Sequence, residues 1–155
     1  MKNNYIKEIN IIGAKVDQIT DFIKYEREAA IHDLIAENSF RIKKDNFVGP
    51  FTMNLSLNSG QLVIDIRENK NKKEYNITKS ISGLKKIIKS YHLACSNYYE
   101  QIKSGSTDKL EEIENNRRKI HNEGAKNLDF ILSNDFEIDL NTSRRLFTLL
   151  YSLFI

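Results

Sequence analysis

Phe51-Thr-Met-Asn-Leu-Ser-Leu57 alternates apolar and polar residues, Asn58-Ser59-Gly60 interrupts, and Leu62-Val-Ile-Asp-Ile66 takes the alternation up again. A period of two, broken by a short polar run with glycine, marks two strands joined by a tight turn. Asn69 to Lys73 reads as a second polar turn, and Tyr75 to Thr78 as a third strand. From Ser82 the period changes. Leu84, Ile87, Ile88, Tyr91, Cys95, Tyr98 and Ile102 recur at i, i+3, i+4, i+7, i+11, i+14 and i+18, which is one face of a helix. Strands grouped together and followed by helices predict an α+β fold. The expected architecture is a short antiparallel β-meander of three to four strands, with one N-terminal helix and three C-terminal helices.

Working outward, Tyr5, Ile6, Ile9, Ile11 and Ile12 read as a strand joining an edge of that sheet, with Gly13 as its stop. Asp21 to about Asn38 reads as the N-terminal helix, with Ile31, Leu34 and Ile35 on one side. Phe40 to Pro50 is a connection. Downstream, Ser82 is the expected N-cap of the second helix, and Ser104-Gly105-Ser106 ends it. Thr107 caps a long helix reaching about Leu132, Asn134 to Asp139 connects, and Asn141 caps a last helix. That helix carries Leu146, Phe147, Leu149, Leu150, Leu153 and Phe154 around most of its circumference. Such a helix is buried on most sides, or against a second copy of the chain. One Pro and six Gly, with no repeat or low-complexity tract, mark no boundary, so residues 1–155 read as one domain.

Composition narrows the function classes. A chain of 155 residues with 40% hydrophobic and 29% charged residues can bury a core and keep a charged surface. Lys plus Arg exceed Asp plus Glu by 24 − 21 = 3, too little to argue for nucleic acid. The lone cysteine, Cys95, excludes an internal disulfide and a multi-cysteine zinc site. Met1 to Asn10 lacks the apolar segment of a signal peptide, and Leu146 to Ile155 has about half the length of a spanning helix. A cytoplasmic location away from the membrane is expected by elimination.

Functional hints lie where the apolar pattern breaks. With Ile120 at zero on the long helix, Leu110, Ile113, Leu128 and Ile131 fall between about 20° and 80°. Arg117 falls inside that stripe at about 60°, and Gly124 at about 40°. A guanidinium thus stands where a Leu belongs, and a glycine allows another backbone to come close. Glu114, Arg118 and His121 border Arg117. The structural reading is an ion pair that pins two helices. The functional reading is a polar cleft whose guanidinium binds an anionic or carbonyl group. On the first helix, Lys24 and Arg27 continue the apolar side, so that end projects past the core, is simply solvated or meets Arg117. Arg144 and Arg145 follow the Asn141 cap, where cations oppose the helix dipole. Either Asp135, Glu137 or Asp139 pairs with them, or an anion does.

Known chemistries find little support. His121 and Glu123 are two apart on a helix and point about 160° away from each other, so they cannot share an ion. No His-Glu-x-x-His spacing, Gly-rich phosphate loop or nucleophile elbow is present, and no cofactor or metal is expected. Glu28 and His32 are spaced for a weak i, i+4 pair. Cys95 and Tyr98 read as core, and His92 as packing.

Four segments together carry a resemblance. They are Tyr25 to Phe40, Gly49-Pro50 with Leu62 to Arg67, Arg117-Arg118-Lys-Ile-His121-Asn122-Glu123-Gly124, and Asp139 to Thr148. Over nearly the whole chain this resembles Uncharacterised Protein Family 0262 of the alphaproteobacteria, and the Arg-Arg-x-x-His-Asn-Glu-Gly run is its distinctive part. The resemblance implies a small cytosolic bacterial protein and no established activity. Arg27, Arg117, Arg118, His121, Asn122, Glu123, Arg144 and Arg145 match the family pattern. His32 and His92 stand where the pattern has an aromatic residue, and Glu28 where it has a small one, which weakens any mechanism built on them.

Those eight residues are the candidate binding set, with no catalytic or metal set among them. The expected function is a non-catalytic binding or regulatory protein whose Arg/His cleft recognises an acidic group on a protein or small anionic ligand. The first alternative is a small enzyme acting on an anionic or phosphorylated substrate, with His121 as the acid–base group. The second is a structural protein, a homo-oligomer formed through the C-terminal helix.

Overall fold

The computed structural model describes residues 3–13 and 20–155. Strands β1 (Ile6–Ile11), β3 (Phe51–Asn58), β4 (Gln61–Glu68) and β5 (Glu74–Ser80) form one sheet in the order β1-β3-β4-β5. Helix α1 (Asp21–Ala36) lies between β1 and β3 in sequence, and α2 (Lys85–Ser104), α3 (Leu110–Leu132) and α4 (Leu140–Phe154) follow the sheet. The α+β class and helix placement match the alternation and period change seen in the sequence. The hairpin turn is built at Ser59 and Gly60, whose φ values of 51° and 76° suit a two-residue connection between twisted strands.

Three sequence expectations need correction. β1 does join the edge, but it pairs with β3 in parallel, because α1 carries the chain back before β3 begins. The two expected connections each hold a short strand. β2 (Phe40–Ile42) and β6 (Phe136–Ile138) pair antiparallel with each other, and three residues give alternation too little room to show. The helix caps also differ. Ser82 opens a single 3-10 turn ahead of α2, α3 starts at Leu110 without a side-chain cap, and Asp139 rather than Asn141 caps α4.

The sheet is one-sided. Phe51, Met53 and Leu55 on β3 and Leu62, Ile64 and Ile66 on β4 are buried, and their register sets Met53 beside Ile66 and Leu55 beside Ile64. Apart from the buried Thr52, the alternate positions of β3 and β4 are at least partly open, and there Asn10 donates to Asn54 across the β1–β3 pair at 3.0 Å. Helices cover the buried face, with α1 against β1 and α4 against β3. Helix α4 also packs on α1 and α3. Its Leu146, Phe147, Leu149, Leu150 and Tyr151 are therefore buried within the chain. The apolar circumference that suggested self-association is accounted for by these neighbours.

Candidate functional site

The site begins with how α4 is held between α1 and α3. Asp139 accepts from the Thr142 N–H at 2.8 Å, and its helix starts at Leu140. Arg144 and Arg145 consequently sit in the second turn, where the dipole penalty has largely faded. None of the three nearby carboxylates pairs with them. Asp139 is the cap, Asp135 holds Lys79 at 2.9 Å and the Tyr75 hydroxyl at 2.6 Å, and Glu137 pairs with Arg41 at 3.1 Å. Arg145 instead reaches across to Asp33 of α1 at a loose 3.6 Å. Arg144 donates to two amide oxygens, Asn122 Oδ1 at 2.8 Å and Asn141 Oδ1 at 3.0 Å. Among the described residues no carboxylate pairs with Arg144.

Between α1, α3 and α4 lies a cleft of about 270 Å³. It brings together Arg117, Arg118, His121, Asn122, Arg144 and Arg145 of the candidate set. Arg27 and Glu123 do not line it. Arg27, only 7% exposed, bonds Ser152 Oγ at 3.0 Å and the Ser152 carbonyl at 2.8 Å. It thereby caps the C-terminal end of α4, where a cation is favoured, rather than facing Arg117. Glu123 points outward on α3.

Arg117 is paired with two carboxylates. Its guanidinium bonds Glu26 of α1 at 3.0 Å and both Glu114 oxygens at 3.0 Å, and lies 4.5 Å from the ring centre of Tyr98. Tyr98 is half-buried and forms the platform beneath that cation rather than part of the core. Burial raises the Glu26 carboxyl above its ordinary range, while Arg117 and the Tyr99 hydroxyl pull it back. Arg118 is 64% exposed at the rim and 3.6 Å from Glu114. Gly124 admits a ring rather than a backbone: a Cβ there would overlap Phe147.

His121 stands at the centre of the cleft's chemistry. Thr148 Oγ1 is 3.2 Å from the Arg144 carbonyl and 2.8 Å from His121 Nε2. The hydroxyl has one proton and two acceptors in reach, the carbonyl and Nε2, so the tautomer of His121 is coupled to the orientation of Thr148. Tyr91 and Phe147 flank the ring, with centroids at 5.1 and 5.6 Å. Burial first, then Arg117, Arg144 and Arg145, push its pKa down to about 4, so the imidazole is neutral across the physiological range.

Cys95, His92, His32 and Glu28 do not line the cleft. Burial pushes the Cys95 thiol up to about 11, which leaves it unreactive. His92 Nδ1 meets the Tyr151 hydroxyl at 2.8 Å. His32 lies 3.5 Å from its neighbour Asp33 rather than pairing with Glu28. Among the described residues no group of three His, Cys, Asp or Glu side chains could hold a metal ion, and no helix is long and apolar enough to cross a membrane. Sequence reasoning missed Glu26, Asp33 and Thr148. Glu26, Ala29, Ala30 and Asp33 follow i, i+3, i+4, i+7, so two acids separated by small residues on one helical face were a readable signal.

The model of the Uncharacterised protein family (UPF0262) matches residues 3–155. The UPF0262 protein of Bradyrhizobium sp. (strain ORS 278) is 34% identical over 149 residues, 96% of this chain and 89% of that protein. Its counterpart in Azorhizobium caulinodans is 35% identical over 153 residues, 97% and 93% of the two chains. The one in Brucella abortus (strain S19) is 38% identical over 139 residues, 89% and 86%. No solved structure matches the chain.

Proposed function

The chain belongs to the UPF0262 family, whose name carries no activity, and from the cleft we propose that it is a non-catalytic protein that binds an acidic group between α3 and α4. The observation that carries this reading is Arg144. It is a half-buried guanidinium at the cleft wall whose only side-chain partners among the described residues are two neutral amides. A folding role would be served better by a carboxylate, since a desolvated cation without a counterion is costly. The two asparagines orient Arg144 without neutralising it, which leaves its charge for a ligand. A cytoplasmic setting and an anionic metabolite, or an acidic group of a protein, complete the proposal.

The test is an amide NMR titration with sodium sulfate at constant ionic strength. Shifts should concentrate at Asn122, Arg144 and Thr148, and Arg144→Gln should weaken binding about tenfold or more, the worth of a charge-assisted hydrogen bond. Scattered or absent shifts would remove the reading.

A second reading rests on one observation, that His121 shares the cleft with the arginines. There the arginines clamp an anionic substrate and His121 moves a proton. With a pKa of about 4 the imidazole is a weak base at neutral pH, so binding ranks first. Hydrolysis of an aryl phosphate that disappears in His121→Gln would reverse that order.

A further inference from the structure

We infer that the cleft takes a compact dianion, of the phosphate-monoester type, and that His121 gains a proton when it does. The inference rests on the anion-binding reading above and extends it to ligand class and pH dependence. Charge balance points there first. Arg117, Arg118, Arg144 and Arg145 face Glu26, Asp33 and Glu114, which leaves 4 − 3 = +1 while His121 is neutral. Protonating His121 raises the balance to +2, the charge a dianion matches. Shape points the same way. Donors approach the cleft from α3 through Arg118 and Asn122, and from α4 through Arg144 and Arg145. A tetrahedral head group presents oxygens in several directions, whereas a carboxylate presents two in one plane.

His121 is placed to follow that charge. Glu26 and Asp33 face the cleft from α1, and Tyr91 from α2. Glu114, Arg117 and Arg118 share its own helix, and Arg144 and Arg145 come from α4. The carboxylates of Glu26 and Glu114 are spent on Arg117, and Asp33 leans on Arg145. What His121 feels is therefore burial together with the field of Arg117, Arg144 and Arg145. A dianion between Arg144 and Arg145 offsets the field of those two cations and sets a negative neighbour beside the imidazole, which favours the imidazolium. No heavy-atom bond forms or breaks. The proton comes from solvent, and the contact to Thr148 is kept because both ring nitrogens of the imidazolium donate, Nε2–H among them.

The experiment compares sulfate with methyl sulfate, neither of which titrates near neutral pH. The His121 ring resonances of the full chain are followed from about pH 7.5 to about pH 4 at constant ionic strength. Sulfate should raise the His121 midpoint by at least about one unit, and each unit is a tenfold gain in sulfate affinity on acidification. Methyl sulfate should bind about tenfold more weakly and shift the midpoint less. His121→Gln should still bind sulfate but lose the pH dependence. Sulfate shifting Asn122 and Arg144 with the His121 midpoint unmoved would overturn this inference and leave the anion site standing. Methyl sulfate binding as tightly as sulfate would overturn the dianion assignment. No shift at Asn122 or Arg144 would overturn both readings.

Discussion

His121 shows at the scale of one residue how a position too polar for the core is tolerated there. Its folded pKa lies below the ordinary 6.5, at about 4. The stability it allows is present above about pH 6.5 and drains away as pH falls toward 4, because the unfolded chain takes up the proton first. At about pH 4.5 that costs roughly 2–3 kcal/mol relative to neutral pH. Urea unfolding of the parent should lose that much more between about pH 7 and 4.5 than His121→Gln does. Equal losses would show that the ring is not held neutral. Arg117 is the opposite case, a charge fully partnered. Arg117→Met strips Glu26, 14% exposed, of its counterion, and should cost about 3 kcal/mol, the lower end for a buried pair. Adding Glu26→Gln should recover part of that loss, and a double variant no better than the single would deny the pairing. Of the two residues, Arg117 was legible as a break in the apolar stripe with Glu114 beside it, but its partner on α1 was not. Glu26 lies 91 positions away, and no local pattern announces a contact across that distance.

Helix α3 carries the same lesson at the scale of elements. Of the predicted stripe, Gly124 and Leu128 are buried and Ile120 and Ile131 pack against the core, but the buried face is turned further round the helix to take in Ala125 and Leu132. What the stripe could not say is that the glycine makes room for a ring of α4. Periodicity describes one helix at a time, whereas fit is a property of two. Gly124→Ala would gain about 1 kcal/mol of helix propensity. Against that, the new methyl group overlaps Phe147, which is wholly buried and has nowhere to go. Overpacking of this kind costs about 1–3 kcal/mol, so the variant should be net destabilised in a thermal melt. Unchanged or increased stability would mean that α3 and α4 stand further apart than the contact implies. The short β2–β6 pair was invisible for a related reason: each strand has three residues, and each gains its identity only from the other. The N-cap of α4 was misplaced by two residues because Asp139 and Asn141 are both competent caps, and only backbone geometry distinguishes them.

For the whole molecule, α4 decides whether the chain unfolds as one piece. It touches α1, α3 and β3, and its C-terminal end is gripped by Arg27 of α1. The cleft has no floor without it, since His121 hangs on Thr148 and Arg144 hangs on Asn122. The apolar run from Leu146 onward was plain in the sequence, but its meaning was ambiguous between burial within the chain and burial against a partner. Within the chain, Leu146, Phe147, Leu149, Leu150 and Tyr151 are buried, and α4 packs against α1, α2, α3 and β3. Leu149 is wholly buried, and Leu149→Ala should cost about 2–5 kcal/mol through lost transfer energy and the cavity left behind. Because α4 bridges the sheet and both flanking helices, the loss should be global. Far-ultraviolet circular dichroism and tyrosine fluorescence should report the same lowered midpoint, and amide exchange in β3 should accelerate along with that in α1. Helical signal lost ahead of β3 protection would instead make the helical layer a separate unit, with the sheet able to stand while the cleft opens.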